Sequence, residues 1–527
     1  MTTDTTATAI EPLDESPEAV DEAPEPPPAE VAELPATVRG RLATVAADPM
    51  SWLATAFVVL IGGVLRLANL GHPDAKIFDE IYYATEADEL LRYGVEWKPE
   101  SNSGDYVVHP PLGKWCIALG EWIFGYDSFG WRISSVVAGV VSILLLTRIA
   151  RRMFRSTALG CAAGLLMTLD GLHFVLSRSA LLDIFLTMFV VAAFGCLLLD
   201  RDQIRAAWLR ALETGLAPTE VTRKYLPVRW WRLAAAVLMG CAGSVKWSAA
   251  FLVIPFLILM IVWEMGLRRT LDLPGLRLLT FAEGIAWSLV MGAIAFGVYL
   301  ASWWGWFTTD YGWNRHGLLT SGKSEPPVLG ALINLWDYHR QMLDFHEGLS
   351  EPHRYQSWPW QWLLMGRPVA FYWSDAPGCG AERCAAEVLL LGTPLLWWSF
   401  LPALAALVWF GIARRDWRAL AIGLPVVGGF LPWFWYALDK RTMYVFYALP
   451  AEPFLVFAVV YVLGAIIGTL PAGAAVRSDR RLVGTIAAGA YIVVIAACFA
   501  YFYPIFVGEQ TTYEEWWARM WLGTRWV

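Results

Sequence analysis

Charge is the scarcest commodity in this sequence: Asp, Glu, Lys and Arg make up 17% of its 527 residues, against about 25% in an ordinary soluble protein. A chain of this length with so little charge does not read as a soluble protein. The formal balance is −7, so there is no cationic surplus of the kind that neutralises nucleic-acid phosphates. Cysteine is sparse too, with 7 residues, five of them in or beside apolar stretches where packing accounts for them. No H-E-x-x-H pattern and no second cysteine pair is present, so a zinc site lacks its ligands. The N-terminus has neither the basic n-region nor the apolar h-region of a cleaved signal peptide. Its first 47 residues contain no aromatic side chain and are rich in Pro, Ala and acid. Such a segment cannot bury enough surface to offset its ordering entropy, which predicts a disordered tail over 1–47.

Apolar residues are what the chain has in quantity: 57% of it, with 30 tryptophans. Runs such as "WLATAFVVLIGGVLRLANL" reach the roughly 20 residues a membrane-spanning helix needs. The pattern predicts an all-α, multi-pass membrane domain over 48–527 with about eleven spans. They fall near 51–69, 133–150, 157–175, 181–199, two short helices between 233 and 265 that turn at Lys246, 280–303, 388–413, 419–438, 443–469 and 482–505. Arginine clusters at "RIARRMFR", "RRDWR" and "RSDRR" mark the cytoplasmic side. The N-terminus is then cytoplasmic and the C-terminus extracytoplasmic. Two large polar loops, 70–131 and 304–387, fall on the same outer face, where short amphipathic helices are expected.

Candidate chemistry concentrates in those loops and beside them. "FDEIYYATEADELL" sets Asp79 and Glu80 together just past the first span. As a helix start, Asp79 would be the N-cap and Glu80 a first-turn acid favoured by the dipole. As chemistry, a carboxylate at the water–lipid boundary suits a general base for a hydroxyl, and both readings can hold at once. Lys114, Arg132, Arg178, Lys246 and Arg441 all map to the outer leaflet, and ionisable groups at membrane depth are functional candidates. Singly each has a structural account, including a salt bridge between Arg178 and Asp183. Together, cations beside a carboxylate suit a phosphate leaving group and a nucleophile awaiting deprotonation. Tyr83, His109, His353, Arg354 and Tyr355 are candidate substrate-binding residues, the last three in an aromatic-rich loop suited to sugar or extended peptide. Cys379 and Cys384, as "CGAERC" in an outer loop, are a candidate disulfide.

The stretches "FDEIYYA", "HPPLGK", "WRISS", "LDGLHFVLSRSALLDIFL", "SVKWSA", "HRYQSWPWQW" and "KRTMYVFYALP" occur in the order seen in protein O-mannosyltransferases of the GT-C membrane fold, and from about residue 50 onward the chain resembles that family. The lumenal MIR domain of eukaryotic members has no counterpart in the sequence, so the resemblance is to the bacterial, polyprenol-phosphate-mannose-dependent branch. It implies inverting transfer of mannose from polyprenyl-phosphate-mannose to Ser or Thr of a secreted or membrane protein. It implies Asp79 as base with Glu80 as its partner, and Arg132 on the donor phosphate. The charge argument extends the phosphate role to Arg178 and Lys246, with Lys114 and Arg441 in the same cluster. No cofactor is required by this reading, a divalent metal being the alternative that some relatives of the fold use. The expected partners are the lipid-linked donor, acceptor polypeptides and membrane lipid, with no nucleic acid. Rival readings are another GT-C enzyme moving arabinose or aminoarabinose onto glycan or lipid, a secondary transporter, and a non-catalytic scaffold.

Overall fold

The computed structural model describes residues 1–3, 34–221, 223–273, 276–468 and 478–527. Among them nine helices are long and apolar enough to cross a membrane: Met50–Leu67, Gly130–Phe154, Leu182–Glu213, Trp247–Thr270, Leu278–Ser302, Pro394–Arg414, Trp417–Leu438, Val445–Ile467 and Ser478–Val507. Two shorter apolar helices, Thr157–Thr168 and Trp230–Val245, complete the bundle; each is one member of a pair expected to be short, whereas the other members, Leu182–Glu213 and Trp247–Thr270, are full-length spans. Lys246 is the joint between Trp230–Val245 and the next helix, in extended conformation at φ −156, ψ 134. The centre is formed by Leu182–Glu213 and Glu452–Ile467, buried along most of their length, as expected of helices apolar on every side.

Three expectations are corrected. The tail is not featureless as far as residue 47: Ala36–Leu42 is a helix, and its Leu42 is buried against Ile204, Trp208, Leu212, Leu267 and Leu271. The rest of the tail expectation, over 4–33, lies outside the described residues. The fold is also not purely helical. β1 (Trp97–Lys98) pairs antiparallel with β2 (Ser103–Gly104), and a second sheet has the order β3 (Val369–Ser374), β4 (Cys384–Leu390), β5 (Thr511–Thr512), also antiparallel. Third, the span expected from 388 begins at Pro394, because 384–390 is strand β4. The run reads as helix from hydropathy alone, since a buried strand is continuously apolar as well.

Both long polar segments pack on each other at one end of the bundle. The Tyr106 hydroxyl donates to the Gln341 carbonyl at 2.8 Å, Tyr338 accepts from the Val107 N–H at 3.1 Å, and Gly104 N–H donates to the Tyr311 carbonyl at 2.9 Å. The other end carries a different cluster. Asp183 and Asp200 sit on one helix, about 25 Å apart at 1.5 Å per residue. Asp200 is held there by Arg229 and Arg232.

Candidate active site

Asp79 and Glu80, adjacent in sequence, lie on different faces of the helix start. In the Glu80–Tyr93 helix the buried row is Glu80, Ala84, Ala87 and Leu90, spaced as one helical face. Asp79, Tyr83 and Glu86, at i, i+4 and i+7, form the next face. Glu80 is fully buried and saturated: Oε1 accepts from Ala180 N–H and Arg132 Nε, each at 2.9 Å, and Oε2 accepts from Ile77 N–H at 3.0 Å and Arg132 Nη2 at 2.9 Å. Arg132 spends its remaining N–H groups on the carbonyls of Leu70 at 3.2 Å, Pro73 at 2.9 Å and Ala75 at 2.8 Å. All five donors of the guanidinium are used. This corrects two expectations: Arg132 has no donor left for a phosphate, and Glu80 is tied to Arg132 rather than to Asp79. The pair instead fixes the 70–80 loop to two other segments.

Asp79 occupies the N-cap position but does not cap. Its backbone is helical at φ −73, ψ −1, and its side chain accepts no capping hydrogen bond. The turn that leads into Asp79 is strained, since the preceding Phe78 has φ 47, a conformation rare for a bulky residue and frequent at functional sites. The Phe78 ring stacks on Phe371 at 4.6 Å and meets the edges of Tyr444 and Phe446 at 6.1 and 6.0 Å. Burial raises the Asp79 pKa to about 6; Lys246 works against that shift, while Asp183 and Glu86 add to it. Burial likewise pushes Tyr83 well above its usual range and His109 well below its own. At neutral pH these two are an uncharged phenol and an uncharged imidazole beside an ionised acid, their rings 6.2 Å apart.

The five expected cations have five different fates. Lys114, fully buried, lies between Glu86 at 3.2 Å and Glu96, which neutralise it. Arg178 donates to the carbonyls of Arg66 and Ala68, each at 2.7 Å, and of Asn69 at 3.0 Å, so it closes the end of the first span. It makes no bridge to Asp183. Asp183 pairs instead with Lys246, whose ammonium lies 3.1 and 2.9 Å from the two carboxylate oxygens and 5.0 Å from the Tyr447 ring. Two of the three Lys246 N–H groups are thereby used. Arg441, like Arg178, has no acidic side chain within ion-pair distance among the described residues; its Nε donates to the His346 carbonyl at 3.0 Å, its Nη2 to His346 Nδ1 at 3.3 Å and its Nη1 to the Thr442 carbonyl at 3.4 Å. His346 Nε2 donates to the Val108 carbonyl at 2.8 Å, which fixes the proton on Nε2 and leaves Nδ1 as acceptor. Burial pushes the pKa of His346 down to about 4. The phosphate roles expected of Lys114, Arg132 and Arg178 therefore do not fit the structure, because internal acceptors hold their charge.

The remaining candidates lie on the rim. His353 packs on Tyr444 at 5.3 Å and on Tyr355 at 5.7 Å, and Arg354 lies over Tyr355 at 4.8 Å. A disulfide joins Cys379 and Cys384 at the base of β4. Sequence reasoning missed Glu86 and Tyr447. Only Glu86 had a signal, its spacing of seven residues from Asp79, two helical turns on. A second polar chain, from Trp247 Nε1 to the Tyr299 hydroxyl at 3.0 Å and on to His339 Nε2 at 2.5 Å, was not legible either. Among the described residues no three His, Cys, Asp or Glu side chains form a group that could hold a metal ion.

Long apolar helices with a polar cap over one buried, uncapped acid define a class: a multi-span membrane protein of the GT-C glycosyltransferase architecture. A solved structure of the yeast (S. cerevisiae) protein O-mannosyltransferase Pmt1–Pmt2 complex bound to the sugar donor superposes with a TM-score of 0.67 at 14% identity, covering 93% of this chain and 94% of that one. The chain belongs to the protein O-mannosyltransferase family. The model of dolichyl-phosphate-mannose-protein mannosyltransferases matches residues 56–309, and that of the C-terminal four-span region of protein-O-mannosyltransferase matches 331–526. Polyprenol-phosphate-mannose–protein mannosyltransferases of Mycolicibacterium smegmatis and Mycobacterium tuberculosis are each 40% identical to it, over 89% of this chain and 92% and 91% of theirs.

Proposed function

We propose that this protein transfers mannose from polyprenyl-phosphate-mannose to Ser or Thr hydroxyls of secreted or membrane polypeptides, with inversion, at the extracytoplasmic face of the membrane. The observation that carries the residue-level reading is Asp79, a largely buried carboxylate at a helix start that forgoes the cap and has Lys246 as its charged neighbour. In the reaction the acceptor oxygen attacks the anomeric carbon, the bond from that carbon to the phosphate oxygen breaks, and polyprenyl phosphate leaves. The hydroxyl proton passes to Asp79. Its raised pKa, about 6, is that of a base strong enough to take the proton yet ionised at neutral pH.

Arg441 and the third N–H of Lys246 stabilise the phosphate as charge develops on it. Such charge-assisted contacts matter most where water is excluded. Arg441 fits the role because no internal acid answers its charge and its hydrogen bonds, at 3.0, 3.3 and 3.4 Å, are longer than the 2.7, 2.7 and 3.0 Å bonds that hold Arg178. Tyr83 and His109, both neutral, are suited to hydrogen-bond sugar hydroxyls, while His353, Arg354 and Tyr355 line the acceptor side. The arginine-rich connections support a cytoplasmic position for the opposite end of the bundle. That orientation sets the N-terminus inside and the site and C-terminus outside.

The test incubates membranes carrying wild type or Asp79→Asn with labelled polyprenyl-phosphate-mannose and a Ser/Thr-rich peptide. Wild type is expected to label the peptide and Asp79→Asn not to. Label in a glycolipid with none in the peptide would sink the protein-acceptor reading. Full activity of Asp79→Asn would remove it from the base role.

A further inference from the structure

The polypeptide acceptor has to be held by something, and the second sheet offers a surface that the rest of the fold leaves unused. β4 is paired on both sides, with β3 on one and β5 on the other. β3 is an edge strand. Across Ala370–Ser374 no backbone N–H or carbonyl has a partner outside the pairing with β4 among the described residues. Unpaired edges of this kind are costly, because they invite a further strand, and folds usually cover or blunt them. Here the edge carries no proline and no lysine from Val369 to Ser374, and Trp373 is 45% exposed on it.

The edge also runs beside the catalytic loop. The ladder is irregular between Ala370 and Tyr372, leaving Phe371 as an extra residue. Such bulges re-aim a side chain and recur next to active sites. The re-aimed Phe371 ring stacks on Phe78 at 4.6 Å, and Phe78 is the residue that immediately precedes Asp79. We infer that β3 is the acceptor-docking edge: an extended Ser- or Thr-containing polypeptide adds to it as a further strand, which sets one hydroxyl at the Phe78–Asp79 turn. Main-chain pairing supplies the affinity while reading little sequence. It also requires an acceptor in extended, not yet folded, form. The reverse side of the sheet is closed, since Gly508, just ahead of β5, packs against Val388 of β4 and accepts a hydrogen bond from His72 at 2.9 Å.

This inference rests on Asp79 as the base, and its test separates the two. A series of acceptor peptides, each carrying one N-methyl group at successive positions around the reactive Ser, is assayed with the full-length protein in membranes. Strand addition points alternate amides at β3. N-methylation at alternate positions is therefore expected to raise the acceptor KM roughly tenfold or more, the effect of one lost hydrogen bond in a covered site, while intervening positions change it less than about twofold. Ester replacements of the same amides are expected to show the same parity. A peptide with a diazirine side chain two residues from the Ser is expected to crosslink within 370–375, in wild type and in Asp79→Asn alike. Losses without parity, or crosslinks confined to other segments, would overturn the edge assignment. Parity with a fully active Asp79→Asn would retain the edge and remove the base; an inactive Asp79→Asn without parity would do the reverse.

Discussion

The two ends of the bundle solve the same problem, buried charge, in opposite ways. At the arginine-rich end Asp200 accepts a bidentate pair from Arg229, at 2.7 Å to each oxygen, together with Arg232 at 3.0 Å, and Glu264 stands behind both arginines at 3.4 and 3.8 Å. Charge there is matched and closed. At the other end the matching is incomplete. Glu80 is sealed by Arg132 and Lys114 by Glu86 and Glu96, but Asp79 has no ion pair, and Arg178 and Arg441 have no acid. Since an unmatched buried charge costs several kcal/mol, an acid left without an ion pair at that end fits a site whose partner comes from outside.

The sharpest way to break the contrast is Asp79→Asn. Because the carboxylate makes no cap, transfer is expected to fall about 10²- to 10⁴-fold with the thermal midpoint in detergent unchanged. A midpoint that drops with activity would return Asp79 to a structural role. Glu80→Gln is expected to do the opposite, leaving Arg132 buried without a counter-charge at a cost of about 3–5 kcal/mol. That loss is read as a lower midpoint and less folded protein. A variant that folds like wild type and is inactive would place Glu80 in the chemistry.

Arg441→Ala should raise the KM for the lipid donor by about 10- to 100-fold, with Arg441→Lys recovering part of it; an unchanged donor KM would exclude Arg441 from the phosphate. The pH profile follows from the same site. Asp79 is protonated below its pKa of about 6, so kcat/KM is expected to fall about tenfold per unit below that value and to level off above it. The stability linkage has the opposite sign. A carboxyl whose pKa is raised by folding costs stability above pH 6, and the cost is relieved as pH falls through 6. The smallest effect belongs to the closed end: Glu264→Gln should cost about 1 kcal/mol in the midpoint, with kcat/KM within about twofold.

Much of this was legible in the residues. The spans were, because hydropathy over 20 residues is a local property and lipid tolerates few backbone solutions. So was the joint at Lys246, a lone cation between apolar helices. The partition of charges was not. Arg178 and Asp183 stand five residues apart and looked like a pair, yet Arg178 closes the end of the Met50–Leu67 helix and Asp183 binds Lys246, 63 residues away in sequence. Hydropathy also misread 388–390 as helix, because the signal that distinguishes a buried strand from a helix lies in its pairing with 369–374, not in its own composition.

By itself, then, the sequence determined a helical membrane protein with two polar segments on one face and a pair of acids at the first of them. The split between those acids, with Glu80 in the buried row of Ala84 and Ala87 and Asp79 outside it, was not read from it, since the two were expected to act as partners. Only the tertiary structure decided which charges are spent. A guanidinium is available to a substrate when the fold supplies it too few acceptors, and those acceptors, carbonyls of Leu70, Pro73 and Ala75 for Arg132 or the His346 carbonyl for Arg441, come from segments distant in the chain. Hydrogen-bond saturation is a property of assembled neighbours, so no single stretch can encode it.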